Sequence, residues 1–153
     1  MHYDALTKHL GSAVLDATGT TIGPAHARRL LCDADVIPAV LGATGEPLDI
    51  GRATRTWPTG LRRAITLRDR GCVFPGCDRP ARWSDLHQIE PWAQGGPTSL
   101  NNGAVLCGHH HTLIHLGDWS IRMAHDGHPD VIPPTWIDPD RQPRRNTLHR
   151  MGP

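Results

Sequence analysis

Between Cys72 and His115 the chain reads CVFPGCDRPARWSDLHQIEPWAQGGPTSLNNGAVLCGHHHTLIH. These 44 residues hold three of the four cysteines and five of the eleven histidines. Cys72 and Cys77 enclose four residues, a spacing at which the backbone can turn around a zinc ion. Cys107 and His110 are three apart and fall together on the first turn of a helix. Three thiolates and one imidazole complete a tetrahedral zinc site with no open position, so this set is expected to hold the fold.

His87, His111 and His115 remain once that site is filled. His111 and His115 are four apart and share one helix face, with His87 on a facing strand as the third ligand. Three protein ligands leave positions open for water and a phosphate oxygen, which a catalytic ion needs. Mg²⁺, Mn²⁺, Ni²⁺ and Zn²⁺ all fit: imidazole favours the later metals and cellular supply favours Mg²⁺. A single histidine at the end of a helix is ordinarily a cap; a helix carrying three in a row and a fourth one turn later asks for more. His109 is read as exposed and incidental.

The rest of the chain explains why a staple is needed. Only 38% of the 153 residues are hydrophobic, and 16 Gly and 14 Pro imply many turns and a lean core. No stretch is apolar enough to cross a bilayer and the N-terminus lacks a signal-peptide core, so a cytoplasmic protein with reduced thiols is expected. Net charge is only +1, yet Gly51 to Trp83 carries eight arginines against Asp69 and Asp78. Such a stretch beside a metal site suits a phosphate-bearing partner, and Arg62, Arg63, Arg68, Arg70 and Arg82 are the candidate contacts.

Residues 1–58 read as the remnant of a larger N-terminal domain: a short helix after Pro24, an apolar run VIPAVLG, a turn at Thr44–Pro47 and a strand leading to Arg52. Cys32, far from the other cysteines, reads as a buried core thiol. A helix is expected from Thr59, as cap, to Arg70, with Gly71 as its stop. A strand over Arg82–Ile89 follows, then a loop over Pro91–Ser99, a short strand AVL and a helix from Gly108 to Leu116. After a strand at Trp119–Met123, residues 124–153 read as an irregular Pro/Arg-rich tail pinned by Ile132 and Trp136, with Arg141, Arg144, Arg145 and Arg150 in solvent.

Residues 59–123 resemble an HNH endonuclease domain, the ββα-metal or His-Me finger nuclease, in the branch that follows a domain of unknown function in actinobacteria. The pattern C-x4-C, histidine, Gly-Gly, Asn, C-x2-H-H and a final His carries the resemblance. It implies an α+β fold, a zinc-stapled β-hairpin plus helix behind an arginine-rich helix. It also implies metal-dependent hydrolysis of DNA, with duplex as the expected substrate and little sequence preference because no base-reading module is visible, no small-molecule cofactor and a chain cut from a longer protein. Cys72, Cys77, Cys107 and His110 match the structural zinc ligands, His110 standing where cysteine is commoner. Asn102 matches the asparagine that braces the loop between the strands, and His111 and His115 match the metal-binding histidines of the helix.

At one position the chain departs from the pattern. The family's general base lies seven residues before the Gly-Gly pair and three before a proline; both counts reach Gln88, and His87 takes the adjoining metal-ligand position. An amide has no lone pair that titrates near neutral pH. Three routes stay open: His87 as base, activation by the ion alone, or Glu90 acting through a water. The alternatives are a catalytically inactive, zinc-stapled DNA-binding module and a purely structural zinc module for protein contacts, which would show no salt-dependent affinity for DNA.

Overall fold

The computed structural model describes residues 13–15, 20–23, 25–26 and 49–149. The chain divides into two compact units, Met1–Val40 and Leu41–Pro153. In the first, β1 (Ala13–Leu15) pairs antiparallel with β2 (Thr20–Ile22). The expected helix beyond His26, the VIPAVLG run, the turn at Thr44–Pro47 and Cys32 lie outside the described residues.

The second unit is a small α+β assembly. Helix α1 (Thr59–Asp69) presents Leu61, Ala64 and Ile65, all buried, along one face. Pro58, not Thr59, is its N-cap: its ring fixes φ at −59° and its carbonyl accepts the first helical bond, from Arg62 N–H at 2.9 Å. The stop also shifts by one residue. Arg70 takes the left-handed turn at φ 61° and donates its N–H to Thr66 O. Gly71 serves a different need, because a Cβ there would overlap the His149 imidazole and the Arg79 carbonyl.

Strand β3 (Ser84–Gln88) follows a 3₁₀ turn at Ala81–Trp83 and pairs antiparallel with β4 (Gly103–Cys107), His87 facing Ala104 and Gln88 facing Gly103. All five residues of β4 are buried, which is why it reads as an unbroken apolar run. Ala104 and Leu106 join Cys72, Val73, Cys77, Cys107, Ile121 and Val131 in one core cluster. On its α1 side, Gly103 lies so close to Ile65 that a Cβ would overlap that side chain. Helix α2 (Gly108–Leu116) starts directly after β4 and packs on both strands.

Arg68 ties α1 to β4. Its guanidinium reaches Asp69 at 2.7 and 3.0 Å, Leu100 O at 2.8 Å and Gly103 O at 2.5 Å, while Asp69 accepts from Val105 N–H at 2.9 Å. With only 11% of its side chain exposed, Arg68 is spent inside the fold and is removed from the candidate phosphate contacts.

The C-terminal segment is not an irregular tail. Strand β5 (Ser120–Met123) pairs antiparallel with β6 (Pro129–Ile132), and Val131 exchanges two 2.8 Å backbone bonds with Arg144. Arg145 is ion-paired with Asp126 and Asp130, so it is neutralised in place, and Arg144 reaches Asp138 at 3.2 Å. Trp136 stands 74% exposed and pins nothing. No helix among the described residues is long and apolar enough to cross a membrane.

Candidate metal centres

The cysteine knuckle forms as the chain leaves α1. Cys72 N–H donates to Arg79 O at 2.9 Å, Cys77 N–H donates to Phe74 O at 3.1 Å, and Gly76 supplies the left-handed turn between them at φ 75°. Cys107 ends β4 and caps α2, which places His110 on the first turn beside it. All four ligand atoms lie within 4.8 Å of one another.

The distances suit a tetrahedral ion. Cys77 Sγ lies 3.9 Å from Cys107 Sγ, and His110 Nδ1 lies 3.4 and 3.3 Å from the sulfurs of Cys72 and Cys107. A zinc site has edges of about 3.8 Å between sulfurs and about 3.5 Å between sulfur and nitrogen. The thiols are buried and free of disulfides. Surrounding groups fix the ligands: Phe74 stacks on the His110 ring at 3.9 Å, and the Asn146 amide donates to Cys72 O and Cys77 O at 2.7 and 2.8 Å.

A second group lies across the hairpin. The ligand nitrogens of His87, His111 and His115 also fall within 4.8 Å of one another, His87 from β3 and the others from α2. His111 Nε2 and His115 Nε2 are 3.2 Å apart. An ion bound by both at about 2.1 Å would see them at about 100°, between octahedral and tetrahedral angles. The other nitrogen of His111 faces the Asp85 carboxylate at 3.9 Å, on the side where a carboxylate commonly orients a ligand histidine.

Burial, with His111 and His115 alongside, pushes the His87 imidazole down to about 4, and burial likewise lowers His111. His87 is therefore neutral at pH 7, with a lone pair for a metal and little tendency to hold a proton. Its folded pKa lies below the unfolded value of about 6.5. The stability it contributes is full above that value and lost as pH falls towards 4. In urea unfolding without added divalent ions, wild type should lose stability relative to His87→Gln over that interval, by up to about 3 kcal/mol. Parallel pH profiles would contradict this.

Gln88, adjoining His87, is held as a strut. Its Oε1 accepts from Trp92 N–H at 3.1 Å and its Nε2 lies 3.4 Å from Thr98 Oγ1. Asn102 spans the same loop: Oδ1 accepts from Glu90 N–H at 2.8 Å, and Nδ2 donates to Glu90 O and Pro97 O at 3.0 and 2.7 Å. Gly95 turns left-handed at φ 102°, and Gly96 packs where a Cβ would overlap Glu90 O. Asn102→Ala should therefore cost about 1–3 kcal/mol of stability, read from urea midpoints, because three backbone groups lose a partner at once.

One cleft holds these side chains together. His87, Gln88, His111 and His115 line it with Arg55, Thr56, Trp57, Arg62, Leu86, Pro91, Trp92 and Ala93. Of the candidate phosphate contacts only Arg62 is here. Arg63 is exposed on α1, Arg70 lines a different cavity beside Arg145, and the Arg82 guanidinium lies 4.9 Å from the Trp83 ring. Glu90 is not part of the lining. Arg55 belongs to the basic stretch read from the sequence but not to its named contacts, and nothing in the sequence singled out Trp57 or Trp92.

Arg55 and Trp57 reach the cleft from a strap at residues 49–57. Instead of the strand expected before Arg52, Asp49 makes a single bridge to Ser99. Ile50 N–H donates to Thr98 O, Thr98 N–H to Gly51 O and Thr98 Oγ1 to Thr54 O.

No family model matches the chain, and no solved structure matches it. An uncharacterized protein of Mycobacterium tuberculosis is 35% identical over 103 residues, covering 67% of this chain and 22% of the relative. A second from that organism is 34% identical over 105 residues, covering 69% and 23%. One from Mycobacterium bovis, also uncharacterized, is 34% identical over 104 residues, covering 68% and 22%. The chain thus spans less than a quarter of the length of these relatives.

Proposed function

We propose that residues 59–123 are an HNH-type, ββα-metal nuclease that hydrolyses DNA phosphodiester bonds with little sequence preference, stapled by zinc at Cys72, Cys77, Cys107 and His110. The convergence of His87, His111 and His115 carries this reading: a hairpin and a helix bring three imidazoles within 4.8 Å of one another, inside a cleft that also holds Arg62. Thiols gathered for a metal rather than paired fit a cytoplasmic setting.

A divalent ion at the histidines would polarise the scissile phosphate and stabilise the departing 3′ oxygen. The protein's own part is positional. His87 is kept neutral by burial and ready to donate its lone pair. Asp85 faces the outer nitrogen of His111 and favours one ring orientation. Asn102 and the Gly95-Gly96 turn hold the loop that carries Pro91, Trp92 and Ala93 into the cleft. Gln88 cannot take a proton from water, so the reaction is expected to be slow.

The strut bonds of Gln88 favour a second reading. An amide bonded to Trp92 N–H beside Thr98 suits a fold kept for binding DNA after its base was lost. Supercoiled plasmid with Mg²⁺ or Mn²⁺ separates the two: nicking that disappears in His111→Ala is the nuclease result, and retention of DNA without nicking is the binding-module result.

A further inference from the structure

We propose that the histidine cleft receives single-stranded DNA, with a phosphate gripped by Arg55 and Arg62 and an unstacked base laid against Trp92. This rests on the nucleic-acid reading above and narrows its substrate class.

Three observations lead to it. First, the cleft combines two chemistries. Arg55 and Arg62 bring positive charge, while Trp57, Leu86, Pro91, Trp92 and Ala93 bring apolar surface. A duplex offers its sugar-phosphate exterior and keeps its base faces stacked inside. A single strand offers both a backbone and free base faces. Cationic grooves interleaved with aromatic rings are how proteins hold such strands without reading sequence.

Second, Trp92 is held in place before any ligand arrives. The Arg52 guanidinium lies 4.1 Å from its ring and donates to Trp92 O at 3.0 Å and Gly96 O at 3.4 Å. Gln88 takes the Trp92 N–H. A ring backed by a cation and fixed at its own backbone loses little freedom when a base stacks on it.

Third, the two arginines of the cleft are uncommitted among the described residues. Arg52 is spent on Trp92 and Arg68 on Asp69 and the carbonyls of Leu100 and Gly103. The guanidinium groups of Arg55 and Arg62 have no hydrogen-bond or ionic partner there. Two such guanidinium groups, with no carboxylate among the residues that line the cleft, leave it short of negative charge, and a phosphodiester supplies it.

Fluorescence anisotropy tests this on the intact zinc-loaded protein with no catalytic ion added. The probes are a labelled oligothymidine of about 16 nucleotides, the upper site size of single-strand binding folds, and a duplex of equal length. The single strand should bind about tenfold more tightly than the duplex, and Trp92→Ala should weaken it about tenfold while Trp92→Phe does not. Arg55→Gln should lower the salt slope of single-strand binding by about one. Zinc content and far-ultraviolet circular dichroism identify any variant that has failed to fold, and Arg55→Gln on the exposed strap is the fallback should Trp92→Ala fail. Equal or tighter duplex binding, or single-strand binding unmoved by both substitutions in folded protein, overturns the substrate class but leaves a DNA-directed protein. Absence of binding to either probe overturns the DNA reading as well.

Discussion

Stripping the protein with a strong chelator should abolish its cooperative unfolding transition, and atomic absorption should find one tightly held zinc per chain beforehand. The expectation follows from where the ligands sit. Cys72, Cys77 and Cys107 are three of the eight residues of the central core cluster, beside Val73, Ala104, Leu106, Ile121 and Val131. So small an apolar set stabilises a domain poorly by itself. Structural zinc in small domains contributes about 10–16 kcal/mol of apparent binding energy at neutral pH, and much of it is folding energy.

The chemistry of the thiols sharpens the test. Burial pushes the Cys72 thiol up to about 12, so without a cation it stays protonated. Zinc must displace that proton, which makes retention of the metal weaken as the solution is acidified. The knuckle also receives its last fastening from far along the chain, through the Asn146 amide on Cys72 O and Cys77 O. Loss of zinc should therefore loosen residues 141–149 along with the knuckle, visible as faster amide exchange in both. Cys72→Ser should mimic chelation. A sharp transition at an unchanged midpoint in metal-free protein would mean that the apolar core suffices and the cluster is not a staple.

The two Cys/His clusters were legible in the sequence because each depends in part on local spacing. The Cys107/His110 pair and the His111/His115 pair are fixed by helix geometry alone, and α2 spans the expected Gly108–Leu116. What could not be read depends on partners distant in sequence. Nothing near Arg68 says that the carbonyls of Leu100 and Gly103 will claim it. Strand β6 contains proline and aspartate and lacks a clean alternation, yet it forms because β5 pairs with it and Arg145 neutralises Asp126 and Asp130. The strap at 49–57 has no regular structure to announce it. It is placed by the Thr98 backbone and by Arg52 stacking on a tryptophan forty residues away.

Gln88→His should raise plasmid nicking by about 10² to 10⁴ over wild type with Mg²⁺ or Mn²⁺, the usual worth of a general base. The site is otherwise equipped: three imidazoles converge, the loop is braced by Asn102, and residue 88 lines the same cleft. Imidazole supplies what the amide lacks, a lone pair that accepts a proton near pH 7. The substitution also removes an acceptor for Trp92 N–H, at a cost of about 1 kcal/mol. That loss is small against the expected gain, so a slightly less stable but faster protein is the combined result. Adding His111→Ala to Gln88→His should return the rate to background, because the new base is useless without the metal ligands. If wild type already nicks and Gln88→Ala nicks equally, the ion alone activates water and Gln88 is only a strut. Failure of Gln88→His to gain activity, in a protein that still binds DNA and holds a second labile ion, would mean that more than the base is missing, and the binding module would then be the better description.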